Sequence, residues 1–200
     1  MPGPSFNLER PHPAPIAGVD EAGRGPLAGP VVAAAVILDR RRVPRGIDDS
    51  KKLTAEARAA LSAKLHRCAA IGIGVATVEE IDAINIFQAT MVAMVRAVDA
   101  LGMAPAVVLV DGNALPKWQR NARAIVGGDG LCLSIAAASI IAKHHRDGLM
   151  IAYHEDHPGY GWSSNMGYAT PDHCAALARL GPSPLHRRSF ARVAQLMLAL

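Results

Sequence analysis

Apolar residues fall in short blocks separated by glycine-, proline- or charge-rich stretches, and the period of the blocks changes along the chain. Ile16 to Asp20 and Pro30 to Leu38 are apolar and β-branched, with Ala22-Gly23-Arg24-Gly25 between them. They read as two strands joined in a hairpin, the second one buried. Residues 39–53 are polar and basic and form a surface loop. Thr54 is placed to cap a helix running to about Cys68, with Ala57, Leu61 and Leu65 on one face. Ile71 to Val78 alternates Ile, Gly and Val, a third strand weakened by its glycines. Thr77-Val78-Glu79-Glu80 matches a capping box and opens a helix reaching Leu101. Ala106 to Val110 is a strong strand that stops at Asp111-Gly112-Asn113, and Arg123 to Val126 is a weaker one before Gly127-Gly128-Asp129-Gly130. Helices are expected over Ile135 to His145, after Thr170-Pro171-Asp172, and from Ser189 to Leu200. Strands first, then strands alternating with helices, predict an α/β layered domain with a mixed sheet.

Composition narrows this picture without changing it. The 200 residues are 50% hydrophobic and 19% charged, which excludes a disordered or collagen-like chain. Aromatics make up only 4%, so Ala, Val, Leu and Ile must fill the core. Lys and Arg exceed Asp and Glu by 21 to 17, a net charge of +4 that suits a polyanionic partner. Cys68, Cys132 and Cys174 are far apart and in no CxxC pair, so they read as reduced thiols. The opening residues lack the apolar core of a secretory signal. The longest uninterrupted apolar run, Val31 to Leu38, is far short of the ~20 residues of a membrane span. A soluble cytoplasmic domain is expected, preceded by a flexible tail over residues 1–15, which hold five prolines.

Candidate chemistry sits where apolar runs end. Asp20-Glu21 follows Ile16–Val19, Asp111 follows Val107–Val110, and Asp129 follows Ile125-Val126 after two glycines. Carboxylates at strand ends occupy the place where an α/β sheet presents a ligand site. One such Asp is explained by turn propensity alone. Three converging carboxylates repel one another unless a cation sits among them, and a hard divalent cation prefers oxygen ligands. Asp20 and Glu21 are adjacent, so in a regular strand they point to opposite faces and converge only if the strand ends or bulges there. The glycines nearby do not make a phosphate loop: Arg24-Gly25 stands where that motif needs Lys followed by Ser or Thr, and the dinucleotide-binding spacing fails as well.

From Gly18 to Val31 the sequence GVDEAGRGPLAGPV resembles the opening signature of ribonuclease HII. The resemblance continues through Asp49-Ser50-Lys51-Lys52-Leu53, Asp111-Gly112-Asn113, Gly128-Asp129, Ile135 to Lys143, Arg146-Asp147, Asn165-x-Gly167-Tyr168-x-Thr170 and His186-Arg187-Arg188-Ser189-Phe190. It implies a ribonuclease H-like fold with a C-terminal helical extension, residues 16–200 forming one catalytic domain. It implies that Asp20, Glu21, Asp111 and Asp129 hold divalent metal, Mn²⁺ or Mg²⁺, and that Gly23-Arg24-Gly25 and Tyr168 read the ribonucleotide at an RNA–DNA junction. The activity it implies is endonucleolytic cleavage of RNA in RNA/DNA hybrids and 5′ to single ribonucleotides in duplex DNA, as in ribonucleotide excision repair. A two-metal mechanism would leave 5′-phosphate and 3′-hydroxyl ends. Two positions depart from the family pattern: Gly127 stands where Lys is usual, which would weaken phosphate contact near Asp129, and Ala191-Arg192 stands where Pro is frequent.

The physical reading of the same residues agrees. Glycine backbone can approach a 2′-hydroxyl closely, and a tyrosine can pack on a sugar. Lys51, Lys52, Lys143, Arg146, Arg187 and Arg188 are candidates for backbone phosphates, with a solvated surface role the alternative for each. Neither His154-Glu155-Asp156-His157 nor His144-His145 has zinc-site spacing, and the first reads as a surface turn. Asp147 four residues after Lys143 reads as a helix ion pair, and Trp118 and Trp162 as packing residues. The expected partner is a nucleic-acid duplex containing ribonucleotides, bound by a monomer with no membrane contact. A DNA nuclease or resolvase on a similar fold and a non-catalytic binding module are the rival readings.

Overall fold

The apolar blocks assemble into a mixed sheet in a computed structural model that describes residues 3–198. β1 (Ile16–Ala22), β2 (Val31–Leu38) and β3 (Ala69–Ala76) form an antiparallel meander. β4 (Val107–Asp111) and β5 (Ala122–Ile125) then add parallel to β1, giving the order β3-β2-β1-β4-β5. The expected hairpin is the β1–β2 pair, in the register Gly18↔Val36 through Ala22↔Val32.

Both faces of this sheet are covered, which is why β2 reads as an unbroken apolar run rather than an alternating one. α2 (Val78–Asp99) lies on one face, where Ala89, Ala93 and Ala97 meet Val19, Ala33, Ala35, Val108 and Val110. α1 (Ala55–Leu65) and α3 (Leu133–Asp156) cover the other, with Leu61, Leu65, Ala137 and Ile141 against Ala34 and Val36. The glycines of β3 have a packing reason. A Cβ on Gly72 would lie 2.0 Å from the Ala97 carbonyl oxygen, and one on Gly74 would lie 2.1 Å from that of Ala93. Only glycine lets α2 approach the strand that closely. By length and composition α2 is apolar enough to cross a membrane, although polar residues interrupt its apolar runs. Its apolar side is instead buried against the sheet. α2 also bends at Asn85, which has φ 65° and accepts a hydrogen bond from the Gln88 amide.

Three expectations need correction. α3 extends to Asp156, far past His145, so His154 to Asp156 close a helix rather than forming a surface turn. The last strand ends at Ile125, not Val126. Within the proline-rich opening, the described residues are not a loose tail: Glu9 is buried at 3% exposure and the Ser5 amide donates to the Leu131 carbonyl. Beyond the sheet, α4 (Trp162–Asn165), α5 (Pro171–Leu180) and α6 (Ala191–Leu198) form the C-terminal helical extension. Trp162, Leu177 and Val193 pack there with Met150 of α3 and with Leu27 and Ala28 of the loop after β1. That cluster fastens the loop after β1 to the far half of α3.

Candidate active site

Strand parity decides which carboxylates meet. Along β1, Ala17 and Val19 face α2, so Gly18 and Asp20 face α3; a Cβ on Gly18 would lie 2.2 Å from the Ser134 carbonyl carbon in α3. Along β4, Val108 and Val110 face α2, so Leu109 and Asp111 face α3. The two strands are parallel with Val19 opposite Val110, and Asp20 and Asp111 follow side by side at their C-terminal ends. Asp129 arrives from the 3₁₀ turn Gly128–Gly130, just before α3. Carboxylate oxygens of Asp20, Asp111 and Asp129 all lie within 4.8 Å of one another. Glu21 is outside this cluster. No bulge turns it, so it takes the opposite parity and pairs with Arg24 at 3.4 Å. It still borders the same cleft.

The local backbone aims these groups. The Gly128 amide donates to Asp111 Oδ1 at 2.6 Å, and a Cβ on Gly128 would meet Ile135 Cδ1 at 2.6 Å, so a larger residue there would have to displace that side chain. The Glu21 amide donates to Asp20 Oδ1 at 2.7 Å. Burial and the crowding of like charges raise these carboxyls. Burial, then the charges of Glu21, Asp111 and Asp129, hold the Asp20 carboxyl well above the usual carboxylate range. Burial raises Glu21 against the pull of Arg24, and burial followed by Asp129 raises Asp111. Lys51 Nζ reaches Asp129 Oδ2 at 3.2 Å from the turn Ser50–Lys52.

Three oxygen donors clustered at the ends of two strands suit a hard divalent cation, with open positions left for water and a phosphate. The cleft beside them, about 210 Å³, is bordered by Gly23, Arg24, Gly25, Lys51, Lys143 and Tyr168. Tyr168 is 45% exposed, Lys143 Nζ lies 6.0 Å from its ring centroid, and a Cβ on Gly25 would touch Tyr168 Cε1 at 3.7 Å.

Not every basic residue near the cleft is free to meet a phosphate. Arg146 and Arg187 were expected at phosphates, yet they are buried at 1% and 0% exposure with their guanidinium groups spent on backbone carbonyls. Arg146 donates to the carbonyls of Ala28, Pro30 and Met166, and Arg187 to those of Gly23, Arg24, Gly29 and Pro30. A buried chain segment with unpaired carbonyls must find donors, and these two forks supply them. Lys52 turns aside to Asp48 at 3.1 Å, and the Arg188 backbone amide donates to Asp82. Lys143 forms the anticipated pair with Asp147 at 2.7 Å.

Other supporting residues carried no sequence signal. Arg58 donates to the carbonyls of Ser50 and Leu53, and Ser139 Oγ accepts from the Ser50 amide, so α1 and α3 together fix the turn that carries Lys51. Glu9 accepts from the Ser134 amide and hydroxyl and from the Cys132 thiol, capping α3 from 125 residues away. Capping of this kind cannot be read from local spacing.

A carboxylate cluster at the ends of parallel strands in this mixed sheet defines a metal-dependent phosphodiester hydrolase of ribonuclease H-like architecture. The sequence profile of the family Ribonuclease HII matches residues 17–193. The chain is 69% identical to ribonuclease HII of Rhizorhabdus wittichii over 198 residues, covering 99% of this chain and 98% of that one. It is 64% identical to ribonuclease HII of Sphingopyxis alaskensis, covering 92% of each. The crystal structure of ribonuclease H2 from Pyrococcus horikoshii superposes with a TM-score of 0.77 at 27% identity, covering 92% of this chain and 97% of that one. This chain therefore belongs to the ribonuclease HII family, metal-dependent endonucleases that cleave RNA paired with DNA.

Proposed function

We propose that the protein cleaves on the 5′ side of single ribonucleotides embedded in duplex DNA, as well as within continuous RNA/DNA hybrids. The product ends are a 5′-phosphate and a 3′-hydroxyl. The observation that carries this reading is a single cleft shared by Asp20 and Asp111 of the carboxylate cluster and by Gly23-Arg24-Gly25 and Tyr168. A non-specific DNA nuclease has no use for a close-approaching glycine loop facing an exposed tyrosine.

Asp20, Asp111 and Asp129, with Glu21 at the cleft edge, would hold two divalent cations, Mg²⁺ or Mn²⁺. Such ions supply an activated water and stabilise charge on the phosphate and the leaving oxygen. The chain's own contribution is positioning. Backbone N–H groups of Gly23-Arg24-Gly25 receive the 2′-hydroxyl, the feature by which RNA differs from DNA. Tyr168 packs on the next sugar. Lys51 and Lys143 neutralise backbone phosphates, which fix register without reading sequence. The protein acts as a monomer in ribonucleotide removal, and its unpaired cysteines accord with a reducing cytoplasm.

Two duplexes test this: one with a lone ribonucleotide, one a continuous hybrid, each with Mg²⁺, Mn²⁺ or EDTA. Cleavage 5′ to the lone ribonucleotide, leaving 3′-hydroxyl ends and requiring metal, is the expected outcome. Cleavage of the hybrid alone would refute the junction reading, and activity surviving exhaustive chelation would refute the role of the cluster.

A further inference from the structure

The two elements proposed to read the junction are braced by one short segment that lies outside the cleft. Arg187, fully buried, donates from Nη2 to the Gly23 carbonyl at 2.6 Å and from Nη1 to the Arg24 carbonyl at 3.0 Å. In a trans peptide the C=O and N–H point in opposite directions. Drawing these two carbonyls inward therefore turns the N–H groups of Arg24 and Gly25 outward, on the side that borders the cleft. Neither N–H finds an acceptor among the described residues. Backbone bonds stitch the same segment to the loop: the Gly29 amide donates to Leu185, and the Arg187 amide to Leu27.

His186, the neighbour of Arg187, reaches the other reader through a relay with one consistent proton arrangement. The Ser183 amide donates to His186 Nδ1 at 3.0 Å, so that nitrogen is bare and His186 Nε2 carries the proton. It faces His173 Nε2 at 3.1 Å, which also receives the Trp162 indole N–H at 3.1 Å. His173 Nε2 is therefore an acceptor, and His173 Nδ1–H donates to the Tyr168 carbonyl at 2.8 Å. Burial keeps both rings neutral: it lowers His173, and with the neighbouring His173 and His157 it pushes His186 down to about 4.

We infer that the Ser183–Arg187 turn, acting through Arg187 on the Gly23 and Arg24 carbonyls and through His186 and His173 on the Tyr168 carbonyl, sets the spacing of the two reading elements and thereby the selectivity for an RNA–DNA junction. This rests on the junction reading proposed above. His173, His186 and Arg187 are positioning residues and touch no substrate.

The readout is the ratio of kcat/KM on the lone-ribonucleotide duplex to kcat/KM on the continuous hybrid, a quantity that general loss of active protein does not move. Tyr168→Ala tests the reading itself. His173→Gln removes the Nδ1 donor and should lower the ratio roughly threefold to tenfold, the yield of one lost hydrogen bond. His173→Asn, whose amide nitrogen sits where Nδ1 sits but which loses the Nε2 link to His186, should lower the ratio as well. Arg187→Lys keeps the charge but cannot span the carbonyls, and should lower the ratio too. If Tyr168→Ala lowers the ratio while His173→Gln and Arg187→Lys leave it at the wild-type value, the brace is wrong and the reading stands. If Tyr168→Ala leaves it unchanged, both fall. A wild-type ratio in His173→Asn, which cuts the link to His186, also overturns the brace. A measurement on the unaltered protein stands apart from any folding defect: long-range ¹H–¹⁵N spectra should show His173 protonated at Nδ1 and His186 at Nε2, and any other pair of tautomers overturns the relay.

Discussion

Asp20 and Glu21 are neighbours in sequence with different surroundings, because one step along a strand exchanges the two faces of the sheet. Asp20 joins Asp111 and Asp129, and its carboxyl is held high by burial and by like charges. A carboxyl whose folded value lies above its unfolded one costs stability once pH exceeds the folded value, and that cost is relieved as pH falls toward the unfolded value. Asp20→Asn therefore acts in two opposite directions. Cleavage should fall by orders of magnitude, since an amide is a poor ligand for a hard cation. Melting in EDTA at neutral pH should rise, by ~2–4 °C for each kcal/mol of repulsion removed in a chain of this size. The gain should fade in acid, where the wild-type carboxyl is itself neutral. Asp111→Asn should follow the same pattern. Near-normal cleavage would remove either residue from the site, and an unchanged or lower melting temperature would sink the repulsion account.

At the scale of elements, the sequence announces most strands and helices through local chemistry. Thr54, Thr77 and Thr170 cap α1, α2 and α5 as their spacing predicts, and the Thr77–Glu80 capping box is complete. The start of α3 was not legible, because its cap comes from elsewhere. Residues 1–15 lack periodicity and are rich in proline, so they read as a tail; Glu9 nonetheless puts a buried carboxylate at the N-terminus of α3. That placement meets the helix dipole and satisfies the Ser134 amide and hydroxyl together. Glu9→Ala would leave those donors buried and unpaired, at a cost of ~1–3 kcal/mol. The melting temperature should drop accordingly, while Glu9→Gln, which retains one acceptor oxygen, should lose less. Because Gly18 of β1 packs directly on Ser134, the loosening should reach Asp20 and lower cleavage as well. Equal melting of Glu9→Ala and the parent protein would return this segment to the status of a tail.

At the scale of the whole molecule, the carboxylates were legible because each ends an apolar run, whereas the frame around them depends on contacts that span the chain. Arg187 meets carbonyls 157 to 164 residues away, so its sequence position suggested a phosphate contact when the fold uses it as an internal donor. The same long-range frame gives the molecule a dependence on acid that can be measured. His186 is fully buried among His173, His157, Tyr160 and Trp162. Its folded value is about 4 against an ordinary 6.5. Between those values the unfolded chain binds the extra proton, so the stability that neutral His186 contributes is complete above about 6.5. It is lost as pH falls toward 4, and the full displacement corresponds to about 3 kcal/mol. The raised carboxyls of the cleft work the other way and gain stability on acidification, so the raw melting curve mixes both slopes. Comparison with His186→Gln isolates the histidine, because the carboxyls are common to both proteins. Melted in EDTA from pH 7.5 to 4, the two should draw together on the acid side by roughly 6–12 °C relative to their separation at neutral pH. Curves that run parallel over that range would show that His186 is not held neutral by the fold.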